Sequence, residues 1–323
     1  MNASARVLIT SVGRRGQLVN WFRSIVSPRG QVIAADAAAT APAVYLADRW
    51  FLVPRVDAED YLPTLLSLCR ENQITLLVPT IDTELLLLAT ERDAFESQGT
   101  TVLISSNETV GMAADKAQTH HWMVDHGFPV PRQWLFKRGA SLPSALPFPV
   151  FAKPRFGSRS VGTRVAHNWS GLPAIDSGNE CVVEEYVTGE EFTVSTYIDR
   201  TGRCLATVPR QRVEVRDGEV SKSVTRHLPD VEDLVRNIAE ALPGAWGPLN
   251  IQLIRDPLSC QMWVLEVNAR FGGGDPLAWE AGANIPAWAL AETLGFRPRI
   301  DQPWTADLAM LRYDDAVFLP WPS

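Results

Sequence analysis

The 323-residue chain is short of cysteine, histidine, basic charge and long apolar runs, and each shortage removes a class of function. Cys69, Cys181, Cys204 and Cys260 are scattered with no C-x-x-C pair, which speaks against a disulfide framework or a zinc centre. His120, His121 and His126 lie close together, yet their spacing matches no helical metal signature. No stretch reaches the roughly 20 apolar residues that cross a bilayer, because ITLLVPTIDTELLLLAT is broken by Pro79, Asp82 and Glu84. The opening MNASARVLITSVGRRG has too short an apolar run for a secretory leader, so a cytoplasmic location is expected. A net charge of -7 argues against binding nucleic acid or an anionic membrane through broad attraction. The partners expected are therefore small molecules, and a homodimer is compatible with this composition.

What is present is an ordinary globular pattern, 46% apolar, long enough for two or three subdomains. Apolar runs at 7–12, 31–36, 74–79 and 101–105 read as strands. Helical spacing alternates with them, as in Leu18, Phe22, Ile25 and Val26 and again in DTELLLLATERDAF, where Thr83 and Glu84 suit the first turn. Such alternation predicts an α/β architecture with a parallel, doubly wound sheet. Ser105 and Glu108 have capping-box spacing, and Lys116 opens a further helix. Beyond Pro129 and Pro131 the chain turns β-rich, with a helix near 231–241. The expected divisions are 1–108, 109–180 and 181–323.

Candidate chemistry lies between 116 and 274. Lys116 and Lys153 are cations suited to phosphate. The loop PRFGSRSVGT carries Gly157, Ser158, Ser160 and Gly162, and can either fold over phosphates through its backbone N–H groups or form a plain hairpin turn. In VVEEYVTGEEFTV a strand edge could bind a purine, or Glu190 and Glu191 could be solvated in a hairpin. Glu266 and Asn268 are one residue apart, so both point to one strand face, where with Gln252 they offer a hard cation such as Mg²⁺ its oxygens.

The combination DKAQTHHWMVDHGFPVP, PVFAKPRFGSRSVGT, VVEEYVTGEEFTV and GPLNIQ…VLEVNARFGGG resembles the ATP-grasp superfamily, in particular its single-module carbamoyl-phosphate-synthase-like carboxylate–amine ligases. The resemblance spans about residues 5–296. It implies an ATP-grasp fold: a Rossmann-like N-terminal domain and two α+β subdomains that clamp ATP. It implies that Lys116 and Lys153 contact phosphates, that 156–163 is a glycine-rich flap, that Glu184, Glu185 and Val187 form the adenine hinge, and that Glu191 takes the ribose. Glu266, Asn268 and Gln252 become magnesium ligands, with Mn²⁺ an acceptable substitute, and the neutral Gln252 leaves the number of metal ions at one or two. Arg270 faces the transferred phosphoryl group. The activity implied is ATP-dependent formation of an acylphosphate from a small carboxylate such as an amino acid, then C–N coupling to an amine with release of ADP and phosphate.

The acceptor side draws on other residues. Alternation puts Arg210, Arg212 and Arg216 on one strand face, a basic lining for a substrate carboxylate or a solvated surface. Gly272 to Gly274 follow Arg270, and their free N–H groups, that of Gly273 among them, could steady a tetrahedral intermediate. Asp82 and Glu84, at the carboxyl end of a strand, could receive an amine or cap a helix. Arg14 and Arg15, in the turn TSVGRRG, could grip a carboxylate or phosphate with help from the following helix. Two other readings stay open: an ATP-binding sensor without turnover, and a nicotinamide oxidoreductase built on Gly16 and Asp36, whose G-R-R-G turn lacks the close glycine pair of a dinucleotide site.

Overall fold

The structure is a computed structural model that describes residues 5–137, 145–157, 161–172, 180–216, 218–300 and 303–320. Its first layer is a parallel sheet of β1 (Arg6–Thr10), β2 (Gln31–Asp36), β3 (Arg49–Leu52), β4 (Leu76–Val78) and β5 (Thr101–Val102), in the order β3-β2-β1-β4-β5. Helices α1 (Gly16–Val26), α2 (Tyr61–Glu71), α3 (Asp82–Thr90) and α4 (Arg92–Glu96) connect these strands. Central β1 is buried almost along its whole length, as a strand covered on both faces must be. The order reverses beside β1, where β2 lies on one side and β4 on the other. At such a switch point the loops at the carboxyl ends splay apart and leave a crevice.

Two helices lead out of this sheet, α5 (Asn107–Ala114) and α6 (Lys116–Asp125). The cap of α5 is Ser106, whose side chain accepts from Thr109 N, rather than the expected Ser105. Ser105 is buried instead, accepting from Trp246 N at 3.1 Å and donating to Trp246 O at 3.0 Å. That exchange ties the first layer to the third.

A four-stranded sheet follows, β6 (Gln133–Phe136), β7 (Val150–Pro154), β8 (Arg164–Ala166) and β9 (Cys181–Glu185), ordered β6-β9-β7-β8. The expected boundary at 181 thus falls inside a sheet, and the change of layer comes after Glu185. The third layer is a six-stranded antiparallel sheet of β10 (Glu190–Ile198), β11 (Cys204–Arg216), β12 (Glu219–Thr225), β13 (Gly247–Arg255), β14 (Met262–Asn268) and β15 (Ala309–Leu311), ordered β14-β13-β10-β11-β12-β15. Helix α7 (Pro229–Ala241) lays Val231, Val235, Ile238 and Ala239 against it, and α8 (Asp275–Glu280) and α9 (Ile285–Thr293) complete the chain's helices among the described residues. The first and third layers share one core, in which Phe22 of α1 meets Phe271 edge-on at 6.1 Å. Among the described residues no helix is long and apolar enough to cross a membrane.

The three arginines expected on one face of β11 part company. Bulges on either side of Glu214 break the alternation, and Arg216 reaches out to Asp314 at 2.8 Å. Arg212 pairs with Glu191 at 2.9 Å. Arg210 is 2% exposed and serves the fold: it donates to Ser195 Oγ and Asn250 Oδ1, both at 2.7 Å, and to Asp275 Oδ1 at 3.0 Å. Asp275 also accepts from Ser195 Oγ, Asn250 Nδ2 and Gly272 N, so every charge in this network is matched. A Cβ at Gly274 would run into Arg210 Nη1, which is why the triple-glycine turn closes over it. Removing one partner of a buried pair leaves an uncompensated charge, so Asp275→Ala is expected to destabilise the fold by about 3–5 kcal/mol. Urea unfolding of the two proteins measures that difference.

Candidate active site

Lys153 and Glu184 face each other from neighbouring β7 and β9, both almost fully buried, with Nζ 2.8 Å from Oε2. Gln133 Nε2 donates to the other oxygen of Glu184 at 2.8 Å, so this buried carboxylate is satisfied on both sides. Lys153 Nζ also donates to Leu265 O of β14 at 3.4 Å, joining the small sheet to the large one. β9 lies between β6 and β7, so the Glu184 backbone is inside a sheet and its carboxylate is taken. The expectation that Glu184 reads adenine therefore gives way to a different role, partner of Lys153. The chain is released from the sheet only after Glu185, whose carboxylate pairs with Arg132 at 3.0 Å, and half-buried Val187 lies in that released segment.

Lys116, the first residue of α6, donates Nζ to Gly157 O at 2.7 Å, bringing the second lysine to the glycine-rich loop. Gly157 and Gly162 have φ of +106° and +75°, conformations that L side chains rarely adopt. Ser158 and Ser160 lie outside the described residues. Burial pulls the Lys116 ammonium below its ordinary pKa; nearby Lys153 pulls the same way, while Glu266 opposes both.

On the large sheet the register sets Gln252 opposite Glu266 and Asn250 opposite Asn268, so all four side chains share one face. Asn268 Nδ2 donates to Glu266 Oε1 at 2.9 Å. Glu191 belongs to the same neighbourhood: burial raises its pKa, Arg212 works against that rise and the charge of Glu266 adds to it. Two carboxylates that feel each other's charge, beside amide oxygens, suit a hard cation. Among the described residues no group of three Asp, Glu, His or Cys could hold a metal by itself. Glu266, Asn268 and Gln252 fit an ion that takes its remaining oxygens from phosphates and water.

Arg270 follows directly on this face. Its Nε and Nη2 meet the two oxygens of Asp82 at 2.7 and 2.6 Å, a bidentate pair, and Nη2 also donates to Asn268 Oδ1 at 3.2 Å. Burial disfavours the guanidinium charge, but the attraction and hydrogen bonds of Asp82 outweigh it and hold the pKa above its ordinary value. Asp82 is thus occupied with Arg270 and not a receptor for an amine. Glu84 is excluded on stronger grounds. It is fully buried, accepting Thr80 N at 2.8 Å and Ile81 N at 3.2 Å on one oxygen, and Tyr61 Oη at 2.6 Å and Ser11 Oγ at 3.1 Å on the other.

A cleft of about 800 Å³ opens at the carboxyl ends of the parallel strands. Arg14, Arg15 and Gly273 line it, together with Glu219, Arg312 and Arg55, which the sequence did not single out. Ile81 and Thr83 are also part of the wall, so the cleft adjoins the Asp82–Arg270 pair. Asp36 accepts the amides of Gly13 at 2.8 Å and Ala38 at 3.0 Å, bracing the turn that carries Arg14 and Arg15. Gln133 and Asn250 were legible in principle, since Asn250 alternates with Gln252; Arg312 follows a three-residue strand with no periodicity to reveal it.

The sequence matches the "PylC-like, N-terminal domain" model over residues 7–103 and the "ATP-grasp domain" model over 113–274. It is 29% identical over 182 residues to the 3-methyl-D-ornithine–L-lysine ligase of Methanosarcina mazei, covering 55% of this chain and 44% of that one. It is 28% identical over 235 residues to the formate-dependent phosphoribosylglycinamide formyltransferase of a Synechococcus species, covering 67% and 58%. The chain thus spans about half the length of these curated relatives. Among solved structures, the biotin carboxylase domain of 2-oxoglutarate carboxylase from Hydrogenobacter thermophilus, in complex with magnesium ADP and bicarbonate, superposes with a TM-score of 0.73 at 18% identity, over 94% of this chain and 72% of that one. The fold is that of these proteins, and with half of its length matched by the ATP-grasp model, the chain belongs to the ATP-grasp family.

Proposed function

We propose that the protein is an ATP-dependent carboxylate–amine ligase acting on a small carboxylic acid, in which 109–185 and the large sheet hold nucleotide while 1–108 presents the acid. The observation that carries this reading is the Asp82–Arg270 pair, which sets a cation at the boundary between the lysine-lined face and the acceptor cleft, where it would face the transferred phosphoryl group. Bound MgATP would supply the phosphoryl group that makes the acid an acylphosphate with loss of ADP, which an amine then opens with loss of phosphate. The chain's own residues neutralise and align. Lys153 and Lys116 would balance phosphate charge, Arg270 would meet the charge that develops on the moving group, and Glu266, Asn268 and Gln252 would hold the divalent ion. No nucleophilic side chain is needed, which agrees with the burial of Cys69, Cys181 and Cys204. The M. mazei relative is named as a ligase of amino acids, which supports the reaction class and an amino-acid substrate.

A screen of carboxylic acids against amines, read as ADP release, tests the proposal. Release that depends on both an acid and an amine is expected, with Glu266→Ala lowering it at least about 100-fold, as loss of transition-state electrostatics does. Tight ATP binding with no ADP release across the panel would instead favour a sensor. For Asp82→Asn, the expected result is a kcat about 10–100 times lower with KM for ATP nearly unchanged, because Arg270 would lose its orientation rather than its presence. A parallel rise in KM for ATP would show that Asp82 acts on nucleotide binding instead.

A further inference from the structure

The acceptor cleft has an apolar part and a charged part, and together they specify a class of substrate. Val53, Val56, Ile81 and Leu87 supply the apolar part. The charged part centres on Glu219, the first residue of β12. Its Oε2 accepts from Arg312 Nη1 at 3.1 Å and lies 3.8 Å from Arg14 Nη2. Arg312 comes from the end of the chain and Arg14 from the turn after β1, so three distant segments converge here. A Cβ on Gly273 would lie 3.7 Å from Glu219 Oε2, which puts the cluster beside the turn that follows Arg270.

The charges in this corner do not balance. Arg14 and Arg312 share one carboxylate, on which Arg15 also pulls, and the cleft's other acids are engaged: Asp57 lies 3.3 Å from Arg55, and Asp36 holds the amides of Gly13 and Ala38. Arg14 is loosely held, with 74% of its side chain exposed. Burial acts to raise the pKa of Glu219, but Arg312 and then Arg14 outweigh it and keep the group a carboxylate. A bare carboxylate or phosphate ligand would suit the arginines and press against Glu219. A bare amine would suit Glu219 and face two guanidiniums. A ligand with both signs on one small group satisfies all three side chains.

We propose, on the basis of the ligase reading, that this corner binds the head group of a free α-amino acid with an aliphatic side chain. The carboxylate lies between Arg14 and Arg312, the ammonium on Glu219, and the side chain along Val53, Val56, Ile81 and Leu87. Glu219 and Arg312 are then the residues that distinguish a free amino acid from an acid without an amino group.

The test is calorimetric titration of the full chain, loaded with magnesium and a non-hydrolysable ATP analogue. The probes are the L and D forms of valine, leucine, norleucine, ornithine and lysine, each with its N-acetyl and carboxamide derivatives. At least one free amino acid is expected to bind, with both derivatives at least about tenfold weaker, the loss typical of one charge-assisted contact. Glu219→Gln and Arg312→Gln should each weaken the amino acid by a similar factor while leaving affinity for the ATP analogue unchanged, and Arg312→Lys should recover part of the loss. Glu219→Gln should also cost the N-acetyl derivative nothing. Equal binding of the N-acetyl derivative, wild-type affinity in both glutamine variants, or no binding by any free amino acid would overturn the proposal. Turnover confined to acids without an amino group would overturn it while leaving the ligase reading intact, whereas amino-acid binding by a chain that binds no nucleotide would do the reverse.

Discussion

The Asp82–Arg270 pair is the constraint on which the site depends. Arg270 is largely withdrawn from solvent where the large sheet runs out, and a guanidinium there is tolerable only with a partner that fills its fork. That partner comes from the parallel-sheet domain, from the first residue of α3. The aim of Arg270 is therefore a property of two domains held together. The shared core of Phe22 and Phe271 and the Ser105–Trp246 exchange fix the same interface elsewhere, so the pair has little freedom to separate.

Beneath it, the Arg210–Asp275–Asn250–Ser195 network supports the same turn from the other side. Asn250 Nδ2 donates to Arg270 O and Asp275 accepts Gly272 N, so the backbone of 270–272 is held by buried polar groups while its side chain is held by Asp82. A Cβ at 274 would collide with Arg210, and one at 272 would press on the Asn250 amide at 3.0 Å. The triple glycine was read as a source of free N–H groups; packing explains two of the three, and only Gly273 lines the cleft.

The sequence made the parallel layer and the ordered motifs legible because both depend on local patterns. β2 was placed to the residue, and Glu266 with Asn268 followed from strand alternation alone. Alternation failed in β11 because a bulge cannot be seen in a residue count, and so three arginines were assigned one face and found in three settings. Glu84 and Asp82 were ambiguous for another reason. A carboxylate at a helix start can cap, pair or bind, and only the long-range partners Tyr61 and Arg270 decide among these. Arg312 and Glu219 were beyond reach, since nothing local marks two residues 93 apart as neighbours.

On the nucleotide side, like charges are gathered in two places. Burial lowers the pKa of Lys116, with Lys153 adding to the fall, and burial raises the pKa of Glu191, with Glu266 adding to the rise. Holding these charges out of water costs free energy in the protein alone, and the attractions present, of Glu266 for Lys116 and of Arg212 for Glu191, do not undo the shifts. A polyanion answers the first and a divalent cation the second, and a nucleotide carrying its own metal ion answers both at once. The same logic applies in the acceptor corner, where two arginines share one glutamate. The site is arranged so that the ligands complete its charge balance.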